Sequence, residues 1–350
     1  MIEPTTLQLL WFCLIAVLWI GFLVLEGFDF GVGMLIPVLG RSDKEKRVLV
    51  NTIGPVWDGN EVWLLAGTGA MFAAFPGWYA TVLSGLYLPF FLILIALIFR
   101  GLAFDYRAKR TEASWRRNWD VAASVGSLLV SLTFGIAFAN FVIGLPVQVA
   151  EGRANVHVFT GGLGSLFSPF ALLGGVLMVG LFLFHGAIFL ALKTRDEIHE
   201  RAKGFASRIG LIVGALALVF VLWQNIGYGT GAPGWILGIV TLAGLGMAWY
   251  MVGQDRDGWA FVGTAVAIAV LVLSFFIRMF PNLGFDNSRA ETPLNIVTAA
   301  ATPYTLTIMS WAGLIFVPLI VAYQAWTYWV FRRRLSTKNI PDDIKEPAAG

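Results

Sequence analysis

The sequence has 350 residues, of which 58% are hydrophobic and only 13% charged, and its mean hydropathy is +0.76. A soluble domain carries roughly 25% charged residues, so a soluble globular protein is excluded and the surplus apolar side chains have to face lipid. The single cysteine, Cys13, excludes an internal disulfide and a thiolate metal site. The net charge of +3 gives no indication of nucleic acid binding.

Apolar runs long enough to cross a bilayer, about 20 residues each, recur along the whole chain. Helices are the only economical structure for them, because their residues do not alternate between polar and apolar as strand residues would. The sequence therefore predicts an all-α integral membrane protein with nine transmembrane helices, the first being a retained span and not a signal peptide. The predicted spans are 7–38, 52–74, 78–99, 121–143, 165–192, 206–227, 235–253, 259–281 and 304–331.

Lysine and arginine are distributed very unevenly between the two sides of the predicted membrane. Of the 24 such residues, all but three lie in or next to the segments that follow odd-numbered spans. Arg153 and Arg289 lie on the opposite side, and Arg278 lies within the eighth span, where no partner for it is evident. Because cytoplasmic loops carry the excess of positive charge, the N-terminus is predicted outside and the C-terminus in the cytoplasm.

The chain is predicted to form a single polytopic membrane domain, 1–331, followed by a polar cytoplasmic tail, 332–350, that we expect to be mobile. A faint internal repeat relates GFLVLEG, which starts at Gly21, to GLFLFHG, which starts at Gly180. It predicts two related four-helix bundles plus one additional helix, although short glycine-bounded matches also arise by chance. The predicted half repeats are 1–143 and 165–281, and the added helix is 304–331.

Most of the acids in or near the predicted spans lie toward the cytoplasmic side. Glu26 and Asp29 are three residues apart near the inner end of the first span, and Asp58 and Glu61 are three apart at the start of the second. Each pair therefore shares a helix face. A carboxylate at mid-bilayer costs on the order of 3 kcal/mol. The nearest bases in these helices lie out in the loop, so a hydrated chain of protonatable groups explains the four acids better than ion pairing does.

The segment GPVWDGNEVWLL, at 54–65, also permits a simpler interpretation as a well-anchored helix start. Pro55 suits a first helical turn, Asp58 can cap free amides there, and the two tryptophans suit a membrane interface. Gly59 argues mildly against this, because glycine weakens a helix while allowing a neighbour to approach closely.

Two further acids, Asp105 and Asp120, follow the third predicted span, as does Arg100. Interfacial pairing with nearby arginines, or helix capping, explains Asp105 and Asp120 as well as a proton path does.

Of the three histidines, only His185 lies within a predicted span. Two axial histidines at one membrane depth therefore cannot be built, which excludes a bis-histidine haem held by this chain alone. His185 is interpreted as a buried neutral histidine with a hydrogen-bond partner. The sequence also lacks a phosphate-binding loop, a HExxH zinc motif and a CxxCH haem attachment. Any electron carriers of a redox reaction must therefore sit mainly on another chain.

Several motifs occur in an order and spacing that resemble subunit II of the cytochrome bd-type quinol oxidases. They are GFDFGVGML (27–35), GPVWDGNEVWLL (54–65), FRGLAFDYR (99–107), WRRNWD (115–120), MFPN (279–282), TLTIMSWAGLIFVPLIVAY (305–323) and AWTYW (325–329). The resemblance covers nearly the whole chain. The WDGNEVW and FDYR motifs together are the specific part of it.

The resemblance implies a haem-free, nine-helix subunit beside a haem-bearing subunit I in the bacterial plasma (inner) membrane. Such a complex oxidises quinol at the outer side, reduces O2 to water and takes the protons from the cytoplasm. Haem b and haem d are expected on the partner subunit, and some members hold a structural quinone on subunit II. Quinol, membrane lipid and a small single-helix accessory subunit are further expected partners, and nucleic acid is not.

The resemblance also implies a set of site residues. No direct catalytic residue, cofactor ligand or metal ligand is expected on this chain. Glu26 stands where some relatives have aspartate, and Glu61 is the weakest member of the set because some relatives have glutamine there. The proton path is expected to include Asp58, Glu26, Asp29, Asp105 and Glu61, with Trp57, Gly59 and Asn60 shaping the site.

Two alternative functions remain open from the residues alone. The chain can be a purely structural scaffold that stabilises its haem partner, with its acids acting as caps. It can also be a secondary transporter, although no broken-helix substrate site is evident.

Overall fold

The computed structural model describes residues 3–341, without the side chains of Ala154 and Asn155. This part of the chain is mostly helical. Its α-helices are α1 (Thr6–Leu39), α2 (Asp43–Ile53), α3 (Trp57–Ala74), α4 (Pro76–Gly85), α5 (Tyr87–Tyr106), α6 (Ala113–Ile143), α7 (Pro169–Lys193), α8 (Asp196–Tyr228), α9 (Ala232–Gly253), α10 (Asp257–Met279) and α11 (Pro303–Val330).

Eight of these helices are long and apolar enough to cross a membrane, namely α1 and α5 to α11. The prediction of a helical, multi-pass membrane protein is therefore confirmed. The remaining predicted span is the second, 52–74, which corresponds to the 18-residue helix α3; α3 is not among the eight, since its first turns are polar.

The second and third predicted spans differ most from the observed helices. The second span was predicted to start at residue 52, but residues 52 and 53 belong to a separate polar helix, α2, and α3 starts only at Trp57. The start of α2 is fixed by Ser42, whose side chain accepts a hydrogen bond from the Glu45 amide at 3.3 Å. The third was predicted as 78–99. A break at Leu86 instead separates α4 from α5, and α5 continues to Tyr106.

The core of the bundle lies around α1 and α7, which cross at two glycines. A Cβ atom on Gly186 would lie 2.6 Å from the Gly31 Cα, and one on Gly31 would lie 2.8 Å from the Gly186 Cα. Only residues without a side chain allow two helices this close. The most apolar part of α7 is 78% buried as a result, whereas that of α11 is only 6% buried.

A small sheet lies at one end of the bundle, where the sequence predicted only loops. Strands β1 (Leu145–Ala150) and β2 (Arg153–Phe159) form an antiparallel hairpin, and the short β3 (Phe285–Asp286) pairs in parallel with β1. We call this the sheet end. The opposite end, where α1 ends and α3 begins, carries the ion pairs of the lysine- and arginine-rich segments, and we call it the basic end.

The first part of the polar tail is packed against the basic end. Arg334 Nη2 donates to Asp257 Oδ2 at 2.8 Å, and Leu335 forms a parallel backbone bridge with the turn after α7. The expectation of a mobile tail is therefore wrong for 332–341, because backbone and charged contacts both fix this segment. The remaining tail residues, 342–350, lie outside the described part of the chain.

Candidate functional site

A buried arginine lies between the helices that carry the predicted acids. The Arg100 side chain, on α5, is 0% exposed. Its Nη1 atom forms an ion pair with Glu26 on α1 and lies 3.4 Å from Glu61 Oε2 on α3. The guanidinium carbon also lies 4.6 Å from the ring centre of Phe30 and 5.3 Å from that of Phe104. The prediction that no base reaches these acids is wrong, because α5 continues far enough to bring Arg100 between α1 and α3.

Asn60 links the second buried acid to two other helices. Its Nδ2 atom donates to Asp29 Oδ2 at 2.6 Å and to the Leu25 carbonyl oxygen at 3.3 Å. Its Oδ1 atom accepts from Gln324 Nε2 at 2.9 Å and from Tyr328 Oη at 2.8 Å, both on α11. Asn60 is itself fully buried, so α1, α3 and α11 meet at this one amide.

The cluster contains more carboxyl groups than cations. Glu26 and Asp29 are both 0% exposed, and the half-buried Glu61 shares Arg100 with Glu26. Glu26 Oε2, Asp29 Oδ1 and Arg100 Nε and Nη2 are buried with no hydrogen-bond partner. A second uncompensated negative charge in such surroundings is costly, so the arrangement favours a proton on the carboxyl pair. A site with one cation and two buried carboxyls can hold and release a proton.

A groove of about 460 Å³ lies between α3 and α11 and reaches this cluster. Asp58 is exposed and lines the groove, and Asn60 and Tyr328 line its inner wall. Asp58 makes no capping hydrogen bond, since α3 begins at Trp57 and its N-cap residue is Val56. The helix-cap interpretation of Asp58 is therefore wrong, and its side chain lines the groove.

The other motif residues take different positions. The Trp57 ring packs against Phe104, with ring centres 5.3 Å apart, and so covers Arg100. Gly59 is exposed, and within the described part of the chain a Cβ atom there would meet nothing within 4 Å. The close neighbour predicted for Gly59 is therefore not supplied by this region of the chain.

Asp105 and Asp120 lie outside the cluster. Asp105 is exposed on the last turn of α5 and makes no hydrogen bond or ion pair with residues 3–341. Asp120 is buried, with Oδ1 2.5 Å from Arg107 Nε and Oδ2 3.0 Å from Lys46 Nζ. The prediction that Asp120 pairs with a nearby arginine is confirmed.

His185 is fully buried on the other side of α1. Its Nε2 atom lies 3.1 Å from the Val24 carbonyl oxygen, and its Nδ1 atom lies 2.6 Å from Thr264 Oγ1. Because a carbonyl only accepts, Nε2 carries the proton and Nδ1 accepts from the threonine hydroxyl. The prediction of a buried histidine with hydrogen-bond partners is confirmed. Both ring nitrogens are used, so the side chain does not fit axial haem ligation.

Arg278 lies on the last turn of α10 at the sheet end. It lines a polar pocket of about 310 Å³ together with Asn282 and Asp286. Its Nε atom is buried without a hydrogen-bond partner in the described structure.

Among residues 3–341, there is no group of three or more His, Cys, Asp or Glu side chains that could hold a metal ion.

Comparison with known proteins identifies the family. The family model described as cytochrome bd terminal oxidase subunit II matches residues 7–331. The chain belongs to this family. It is 38% identical to the cytochrome bd ubiquinol oxidase subunit 2 of Bacillus subtilis, over 94% of this chain and 97% of that protein. It is 35% identical to the cytochrome bd-I ubiquinol oxidase subunit 2 of Escherichia coli, over 97% of this chain and 98% of that protein.

A solved structure of the bd oxidase from Geobacillus thermodenitrificans has the same fold. One of its chains superposes with a TM-score of 0.75 at 20% identity, and the match covers 93% of this chain and 99% of that chain. At this identity the likeness is evidence of fold only.

In this subunit II, sequence reasoning missed three residues of the cluster. Arg100 was counted with the loop charges, although four acids without a counter-ion call for a cation nearby. Gln324 and Tyr328 are four residues apart in an otherwise apolar helix, so they share a face. A glutamine within a spanning helix is costly unless it has a partner, and that cost was the available signal.

Proposed function

We propose that the chain is the haem-free subunit of a quinol:O2 oxidoreductase and that it conducts cytoplasmic protons toward its haem-bearing partner, subunit I. Family membership and the two relatives named as ubiquinol oxidase subunits support the reaction. The observation that carries the proton role is the buried surplus of carboxyl groups next to an open groove. The haems, b type and d type on subunit I, would supply electron transfer and O2 reduction.

The proposed path begins at Asp58, which collects protons in the groove. Asp29 and Glu26 hold a proton between them, and Arg100 balances the charge that remains when it leaves. Glu61 pairs with the same arginine from the more exposed side and can pass a proton to the buried carboxyl groups, while the guanidinium keeps its own. Asp105, exposed at the end of α5, is a second proposed collecting group at the basic end.

The proposed topology has nine membrane crossings, the eight apolar helices and α3. With the basic end in the cytoplasm, the N-terminus lies outside, as the charge distribution requires. The half repeats and the location in the plasma membrane remain predictions within this proposal.

The proposed docking face for subunit I comprises α3, α5 and α11. The most apolar parts of α5 and α11 are only 28% and 6% buried, compared with 78% in α7. An apolar groove of about 230 Å³ between α5 and α6 suits the chain of the predicted quinone or of a lipid. The accessory subunit remains a prediction, and we assign it no binding surface on this chain.

The test of the proton role is Asp58→Asn in the assembled, haem-loaded complex. We expect slower oxygen consumption and slower proton uptake, because the amide cannot carry a proton. Asp255→Asn is the matched control, since this acid is exposed outside the spans and pairs only with Lys203. Unchanged oxygen consumption and proton uptake in Asp58→Asn would refute the proposal. Loss of haem would instead favour the scaffold function.

The optical spectrum of the purified protein distinguishes the transporter alternative. Haem bands that co-purify with a second subunit support the oxidase, whereas a colourless, self-sufficient monomer supports a transporter.

A further inference from the structure

A chain of three hydrogen bonds runs from Trp63 to Asp29. Trp63 Nε1 donates to Gln324 Oε1 at 2.6 Å, Gln324 Nε2 donates to Asn60 Oδ1 at 2.9 Å, and Asn60 Nδ2 donates to Asp29 Oδ2 at 2.6 Å. The chain starts on α3, passes through α11, returns to α3 and ends at the buried carboxyl group on α1. All three bonds point in the same direction.

The direction follows from the chemistry of the first donor. An indole N–H donates and never accepts, so it fixes which end of the Gln324 amide faces Trp63. With Gln324 fixed, reversal of the Asn60 amide would bring two N–H groups together. Trp63 therefore sets the orientation of the Gln324 amide and, through it, that of the Asn60 amide. As a result, Asp29 faces the Asn60 NH2 group and not its oxygen atom.

The remaining contacts of Asn60 fix its orientation less firmly. Tyr328 Oη lies 2.8 Å from Asn60 Oδ1, but a hydroxyl group can accept as well as donate, so it fits either orientation. The Leu25 carbonyl oxygen favours the observed orientation, but through a longer contact of 3.3 Å. The short bonds of the Trp63 chain are therefore the main constraint.

We propose that Trp63 and Gln324 are positioning residues that hold Asp29 as a hydrogen-bond acceptor, ready to take up a proton. This inference rests on the proposed role of Asp29 in proton transfer. Neither residue is expected to touch quinol, oxygen or haem. Their effect passes through the orientation of the Asn60 amide alone.

Other charged or titratable groups lie on α1 and on the helices packed against it. They are Glu26 on α1 itself, Glu61 on α3, Arg100 on α5, Asp120 on α6, His185 on α7 and Tyr328 on α11. None of them is hydrogen bonded to the indole N–H, and the bond between Tyr328 and Asn60 would change only together with the Asn60 amide. A shift in pH dependence on removal of the indole N–H therefore reports the hydrogen-bond chain.

The experiment is the pH dependence of quinol-driven oxygen consumption by the assembled two-subunit complex carrying Trp63→Phe. The phenyl ring keeps the packing of the indole and removes the donor. Loss of the donor to Asp29 favours its protonated form. The pH at which the rate of oxygen consumption falls to half its maximum on the alkaline side should therefore rise by about one unit. Gln324→Met should move it in the same direction. The double variant should move it no further than the larger single change, because the two residues act in series.

The matched control is Trp11→Phe. Trp63 connects α3 to α11, and Trp11 similarly connects α1 to α11. Trp11 Nε1 lies 3.2 Å from the Leu306 carbonyl oxygen and 3.1 Å from Ser310 Oγ, at the sheet end of the bundle. We expect its pH profile to match that of the wild type. An equal shift in Trp11→Phe would overturn the proposal, because loosening of α11 would then explain both results.

Asp29→Asn distinguishes failure of the proposed proton role of Asp29 from failure of the positioning role of Trp63 and Gln324. If it leaves the pH profile unchanged, the proposed proton role of Asp29 is wrong. If it alters the profile while Trp63→Phe, with full haem content, does not, the positioning role alone is overturned. Should Trp63→Phe lose haem, Gln324→Met decides: a shifted profile supports the proposal and an unshifted one overturns it.

Discussion

Two fully buried polar sites lie on opposite sides of α1, and they differ in how completely their atoms are hydrogen bonded. At His185 both ring nitrogens have partners, Val24 and Thr264. At the carboxylate cluster, Glu26, Asp29 and Arg100 each keep a buried polar atom that finds no donor–acceptor partner among residues 3–341. Buried polar groups are normally paired, and an unpaired one is costly. The first site is therefore satisfied as a structural element, whereas the second carries the cost that the proposed proton role would explain.

The two sites also differ in their access to solvent. The His185 ring stacks on Phe261, with ring centres 4.6 Å apart, and Phe28 packs against its edge. The carboxylate cluster adjoins the groove lined by Asp58. The groove is lined by Asn60, which is hydrogen bonded to Asp29, whereas the histidine is enclosed by aromatic side chains.

The largest expected effect comes from removing the only cation of the cluster. Arg100→Gln leaves Glu26 without its buried counter-ion, and breaking such a pair costs about 3–5 kcal/mol. We expect little assembled, haem-containing complex in membranes, measured by haem absorbance per subunit. The double variant Arg100→Gln/Glu26→Gln should recover assembly, because removing both partners restores the charge balance. Normal assembly of the single variant would contradict this account of the cluster.

Glu26→Gln tests the chemistry of the cluster without removing the arginine. The amide keeps the shape of the side chain but cannot exchange a proton, and positioned proton-transfer groups typically contribute a hundredfold or more. We expect oxygen consumption per haem to fall on the order of a hundredfold. Asp257→Asn is the control, a buried acid that pairs with Arg334 at the basic end. Equal activities of Glu26→Gln and Asp257→Asn would contradict a role of Glu26 in proton transfer.

His185→Leu tests the other side of the comparison. It removes hydrogen bonds to Val24 and Thr264 from a fully buried site, and each lost bond costs about 0.5–1.5 kcal/mol. We expect a lower midpoint of thermal unfolding for the complex but an unchanged rate per haem. A fall in the rate per haem at full assembly would show that the histidine has more than a structural role.

The fold was largely predictable because membrane spans are local features of a sequence. Runs of about 20 apolar residues and the count of basic residues need no tertiary information. The exceptions have tertiary causes. The continuation of α5 to Tyr106 keeps Arg100 within a helix, where its partners, Glu26 and Glu61, are supplied by other helices.

The site was predictable in its acids but not in its partners. Glu26, Asp29 and Asp58 stand out in an apolar sequence by their cost alone. Their partners lie far away in the chain, since Gln324 is 264 residues from Asn60. No spacing rule connects such positions. The direction of the hydrogen-bond chain also requires coordinates, because it depends on which atoms meet.

The smallest expected effect concerns a charged pair outside the spans, between Glu45 Oε2 and Arg201 Nη2 at 2.7 Å. Burial acts to raise the pKa of Glu45, but hydrogen bonds from Arg201 and from backbone amides outweigh it, so the pKa lies below its ordinary value of 4.5. The ionised group therefore contributes stability above its unfolded pKa, and this contribution is lost as the pH falls through the folded pKa.

Glu45→Gln should thus lower the free energy of unfolding at pH 7 by at most about 1 kcal/mol, because pairs near water are weak. The difference from wild type should disappear at a pH below the folded pKa, where Glu45 is protonated in both states. Thermal unfolding of the complex across this pH range measures it, and the comparison with wild type cancels the titration of other acids. Oxygen consumption should not change, because the pair joins α2 to α8 and includes no residue of the carboxylate cluster. A difference independent of pH would mean that packing, not charge, links the two helices.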